Sequence, residues 1–170
     1  MDDLSVIFML GGAVILIVLL VLIALYIVSS LSIFRLLKIY GYQNAWIAWI
    51  PIINQYALGD VAITEEKVKI GMVDLPAFLF KFWWIGTFIL GYIPTIGTLA
   101  ALAVQIFFFG TVLTRIYATV ENRPEKDVRI VGYLSGWIPL IAYIKFLLYG
   151  KDRQIRSANA RNIPRPDDMP

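Results

Sequence analysis

Pro51 stands inside an uncharged stretch, Ala45–Leu58, with Asn54 and Gln55 close behind it. A proline in an apolar helix removes a hydrogen bond and frees a backbone carbonyl. In hydrocarbon an unsatisfied group costs several kcal/mol, so a partner must be found. An amide three residues on can close the break as a structural clamp. It can also serve as a polar point on a substrate or ion path built from a broken helix. The clamp is the simpler expectation. Pro139 breaks a second uncharged stretch, Ile130–Ile144, in the same way. Asp60 and Asp74 flank a charged insert. A carboxylate within a membrane would be a coupling-ion candidate. Near the surface, Asp60 is expected to cap a helix or to pair with Lys67, Lys69 or Lys81. An intramembrane aspartyl hydrolase would need two facing aspartates, and these two lie too near the surface. Lys145, near a helix end, is expected to snorkel to the headgroups.

Composition narrows the chemistry. The chain has 170 residues, no histidine and no cysteine. The usual ligands of zinc, haem and iron–sulfur clusters are therefore missing, as are Ser-His dyads, thiol nucleophiles and disulfides. No cofactor, metal site or enzyme centre is expected. Charged residues make up 16% and hydrophobic residues 59%, with mean hydropathy +0.75. A soluble domain carries roughly 25% charge. An integral membrane protein is the class that remains. The net charge is +3. Because the basic residues sit beside apolar runs, they read as orientation signals and headgroup contacts, and nucleic acid is not an expected partner.

The elements follow from the uncharged runs. Leu4 to Phe34 holds 31 residues without a charge. About 20 apolar residues cross a bilayer core, so one span is predicted over about 5–28. Arg35 and Lys38 follow it, which places the N-terminus outside and the chain beyond it in the cytoplasm. Phe82 to Thr114 holds 33 more. Extended at both ends, it supplies two spans, about 75–93 and 97–117, turning at Gly91-Tyr-Ile-Pro-Thr-Ile-Gly97. The two proline-broken segments, about 40–63 and 128–149, share Trp49-Ile-Pro-Ile-Ile53 and Trp137-Ile-Pro-Leu-Ile141. Runs this short favour re-entrant or interfacial placement. With three crossings all 15 Lys and Arg lie on the cytoplasmic side, whereas five crossings put seven outside. The expected fold is thus an all-α integral membrane protein with three transmembrane helices and two re-entrant segments. Five transmembrane helices are the alternative.

Small residues mark where helices can approach closely: Gly132 with Gly136, and Gly97 with Ala101. Packing within the chain is the simpler use, self-association the other. Residues 151–170 read as a basic, partly disordered cytoplasmic tail in which Lys151, Arg153 and Arg156 would meet lipid headgroups.

The stretch Tyr40–Gly59 resembles a family of small bacterial multi-span membrane proteins of unknown activity. Their pattern is Ala-x-Ile-Pro-x-x-Asn-x-Tyr, here carried by Ile50, Pro51, Asn54 and Tyr56. The likeness extends loosely over 36–150. It implies a polytopic helical fold in the cell membrane and supplies no catalytic residue. The charged insert Thr64–Asp74 is longer than that pattern leads one to expect. The functional expectation is a membrane scaffold or accessory subunit that meets lipid, another membrane protein or a second copy of itself. The alternative is a small oligomeric channel or transporter using the breaks at Pro51 and Pro139.

Overall fold

The computed structural model describes residues 3–149, with side chains from residue 11 onward. Helix α1 runs Asp3–Ile39. A 3₁₀ turn, Ala45–Trp49, leads through Pro51 into α2, Ile53–Ala62. Two short strands follow, β1 at Lys67–Ile70 and β2 at Val73–Pro76, paired antiparallel with Lys69 opposite Asp74. Then come α3 (Ala77–Lys81), α4 (Trp83–Gly91) and α5 (Ile96–Val104). A π-helical turn, Gln105–Phe109, joins α5 to α6, Gly110–Glu121. Helices α7 (Glu125–Trp137) and α8 (Pro139–Leu148) complete the described fold.

Among the described residues the regular elements are helical apart from that β-hairpin. Two helical stretches are long and apolar enough to cross a membrane, Gly11–Ile39 and Ile96–Glu121. The expected third span over 75–93 does not form as one helix. Leu75 and Pro76 belong to β2, opposite Val68 and Lys67. The helix then breaks at Phe82, whose backbone leaves helical geometry at φ −114° and ψ 22°. The remaining α4 has 9 residues, about 13 Å at ~1.5 Å per residue, far short of a ~30 Å core. The predicted 97–117 span is present and runs on to Glu121. The tail residues Lys151, Arg153 and Arg156 lie outside the described residues.

Helix α1 divides in two. Residues 11–27 are exposed on every face, while Ser30, Ile33, Leu36, Leu37 and Ile39 are buried. The buried third packs against the 3₁₀ turn, α2 and α8. Around it the rest of the chain forms three helical hairpins: the 3₁₀ turn with α2, α4 with α5, and α7 with α8. Each tip is an Ile-Pro step: Ile50-Pro51, Ile93-Pro94 and Ile138-Pro139. Contacts fix their direction. The Tyr26 hydroxyl donates to the Trp49 carbonyl at the first tip, while Tyr40 reaches the Ile116 carbonyl at 3.5 Å. Gln105 donates to the Gly136 carbonyl at 2.9 Å, just below the third tip. All three tips therefore point along α1 away from Tyr40. The core lies at the opposite end, around Tyr117, Phe80, Phe109 and Phe146.

Candidate functional site

The first tip is built from Pro51, Ile52, Asn54 and Gln55. The Ile53 amide donates to the Pro51 carbonyl at 2.9 Å, and Ile52 sits at φ 74°, ψ −53°. This is the strained, positive-φ form of the γ-turn. The second tip repeats it: the Ile96 amide donates to Pro94 at 2.8 Å and Thr95 sits at φ 60°, ψ −76°. The third tip differs. Pro139 opens α8 in its first turn, where a missing N–H costs nothing.

Behind the first tip, Asn54 is 6% exposed and its amide donates to the Ala48 carbonyl at 3.4 Å, across the break. That bond ties the two legs together. The Asn54 Oδ1 and Gln55 Oε1 acceptors are buried with no hydrogen-bond partner. Buried acceptors without a partner beside a broken helix are the feature that a donor-bearing group could meet, and the Gln55 side chain also lies within hydrogen-bond reach of the Tyr143 hydroxyl.

At the base of the hairpins, charges are matched. Asp60 pairs with Lys81 at 2.6 Å and accepts the Tyr42 hydroxyl at 3.2 Å. The contact depends on Gly59, because a Cβ there would stand 2.7 Å from the Lys81 Cα. Only glycine lets α2 and α3 come this near. Tyr42 is pushed up to about 12, first by burial and then by the Asp60 carboxylate. Lys81 is thus the one of the three expected lysines that pairs with Asp60, while Lys145, expected to snorkel, is held by a carboxylate instead. Lys145 pairs with Glu121 at 2.7 Å, which also accepts the Tyr149 hydroxyl at 2.9 Å. Burial, then the bond to Glu121, pushes the Tyr149 phenol up. Beside them Tyr117 donates to Ser135 at 2.8 Å and Lys145 lies 4.3 Å over the Tyr117 ring. Arg115 pairs with Glu65 at 3.1 Å.

None of the Glu121, Lys145 and Arg115 pairing was read from the sequence. The one available signal is that a lone cation in an apolar helix such as α8 calls for a carboxylate.

Gly132 and Gly136 face α6. A Cβ on Gly132 would meet Thr114, and one on Gly136 would meet the Gly110 backbone at 2.9 Å. Gly97 lies against Leu90 and Ile93 in the second hairpin, with Ala101 one turn on along α5. The structure thus brings Pro51, Asn54 and Gln55 together at one tip. It leaves Asp60 at the base and Pro139 at another tip.

No family model, curated protein or solved structure matches this chain. Among the described residues no group of histidine, cysteine or carboxylates could hold a metal ion.

Proposed function

We propose that this chain is a non-enzymatic integral membrane protein that acts as a membrane scaffold or accessory subunit. Helix α1 crosses the cell (cytoplasmic) membrane with its N-terminus outside, and the chain returns its C-terminus to the cytoplasm. The observation that carries the reading is the exposed part of α1. Residues 11–27 are apolar and exposed, and among them Tyr26 reaches the first tip through the Trp49 carbonyl. A ~30 Å core would surround such a segment with lipid or with another membrane helix. The three Ile-Pro tips enter the same leaflet from the charged side. The second hairpin re-enters there: α4 has 9 residues, about 13 Å, and Lys81 stands just before its start. A crossing hairpin would strand the Lys81–Asp60 pair near mid-bilayer, where charge is costly.

Photo-reactive residues placed singly across 11–27 test the scaffold role in membranes. Discrete cross-links confined to one face of α1, to a second copy or to one partner, are expected. Cross-links to lipid alone at every position would reduce α1 to an anchor and end the scaffold reading. A small channel or transporter is the second reading, supported by the orphaned Asn54 and Gln55 oxygens. Solute flux in liposomes that is lost on Asn54→Ala would favour it over the first.

A further inference from the structure

A cavity of about 130 Å³ opens where the β-hairpin lies against α6 and α7. Lys69 from β1, Arg115 from α6, and Glu125, Arg129 and Tyr133 from α7 line it. Its volume is about four waters' share of the liquid. Arg115 is balanced by Glu65 at 3.1 Å and Glu125 at 3.5 Å. Lys69 and Arg129 have no ion-pair partner among the described residues. Both are exposed at the cavity. The pair therefore offers unspent positive charge, with the fork of an arginine suited to two oxygens of one phosphate.

A second observation says what bears the phosphate. From Arg129 toward the third tip, α7 carries Ile130, Leu134 and Trp137, exposed by 81%, 42% and 55%. Spaced four and three residues apart, they form one stripe on one face. Lys126 lies a turn below Arg129 on α7 and is exposed too. Cation at the base and hydrocarbon toward the tip is the order of a phospholipid in a leaflet.

We propose that Lys69 and Arg129 hold the phosphate of an anionic membrane lipid whose acyl chain lies along Ile130, Leu134 and Trp137. The proposal rests on the membrane reading above and is separable from the scaffold role. The full chain, purified in detergent, is offered equal amounts of phosphatidylglycerol and phosphatidylcholine with identical chains, and bound lipid is counted by native mass spectrometry. Phosphatidylglycerol adducts should dominate in the wild type. Removing a basic residue should cost roughly fivefold in that preference, so Lys69→Gln with Arg129→Gln should abolish it. Arg129→Lys should keep part of it, and Lys38→Gln, on α1, all of it. Equal adducts of the two lipids in the wild type would overturn the site. So would a double variant that keeps the preference. Displacement of the lipid by millimolar inorganic phosphate would reassign the site to free phosphate and overturn the lipid. A chain that carries neither lipid would overturn the membrane reading as well.

Discussion

Gly136 is the residue on which the contact of α6 and α7 turns. A Cβ there would press on the Cα and N of Gly110 at 2.9 Å, and backbone cannot rotate aside as a side-chain end can. Gly136→Ala should cost about 1–3 kcal/mol as overpacking, seen as a lower melting temperature in detergent. Gly86→Ala is the control, because its Cβ would meet only the Val104 side chain at 3.6 Å, an ordinary contact. Helix propensity alone would make both variants more stable, since alanine favours a helix over glycine, so a Gly136→Ala that behaves like Gly86→Ala would exclude close approach as the cause. At the base, Tyr42 gives a pH signature. Its phenol moves from 10.0 to about 12 in the folded chain. A raised acid pKa means that the folded state holds the proton more tightly than the unfolded one. The stabilisation is complete below pH 10 and fades as pH climbs toward 12. Melting temperatures followed through that window should fall, and fall less in Tyr42→Phe. An identical alkaline limb in the two proteins would exclude Tyr42 from this linkage. At this scale Asn54, Gly132 and Gly136 were legible, because each stands in a short motif with a local physical reason. Glu121 and Lys145 were not. Many residues separate them, and only the folding of α7 and α8 onto α6 brings them to 2.7 Å.

The Ile-Pro tips show what an element owes to sequence and what it owes to its neighbours. Proline and glycine between Gly91 and Gly97 foretell a turn, and one forms there. The break at Phe82 has no such punctuation. On either side of it Trp83 stacks on Phe109 at 4.7 Å and Lys81 pairs with Asp60 at 2.6 Å. The β-hairpin could have been seen. Lys67-Val-Lys-Ile70 alternates polar and apolar, and Gly71, at φ 62°, supplies the turn. The apolar length of 75–93 argues for a span against that alternation, and in the fold the alternation prevails at Leu75 and Pro76. Two of the tips carry strain. Ile52 and Thr95 hold positive φ that a β-branched residue rarely adopts. Thr95→Gly should therefore raise stability by up to about 1 kcal/mol, because glycine meets no Cβ clash there. Thermal unfolding in detergent reads this. A loss instead would mean that the threonine side chain contributes more at the tip than its backbone strain costs.

At the scale of the molecule, hydrocarbon and charge are sorted to opposite ends. No charged residue lies between residues 11 and 34 of α1 or on any of the three tips. The charged pairs, Lys81 with Asp60, Lys145 with Glu121 and Arg115 with Glu65, lie at the base of the hairpins. The proposed topology rests on this sorting, since a bilayer placed across α1 would take in the tips and leave the paired charges at one headgroup layer. Because the chain has no cysteine, single cysteines at Glu66, Thr95 and Glu121 report it directly with an impermeant thiol reagent. In intact cells none of the three should react. After permeabilisation Glu66 and Glu121 should label and Thr95 should stay slow, shielded at a tip within the leaflet. Labelling at Thr95 from outside would mean that the second hairpin crosses, and would put the Lys81–Asp60 pair inside the bilayer with the Tyr42 hydroxyl as its one further hydrogen-bond partner among the described residues. Labelling at Glu66 and Glu121 from outside, with Thr95 protected, would establish five crossings. Either pattern would place the β-hairpin and the Lys69–Arg129 pair in a different relation to the headgroups, so the lipid measurement and the thiol measurement constrain each other.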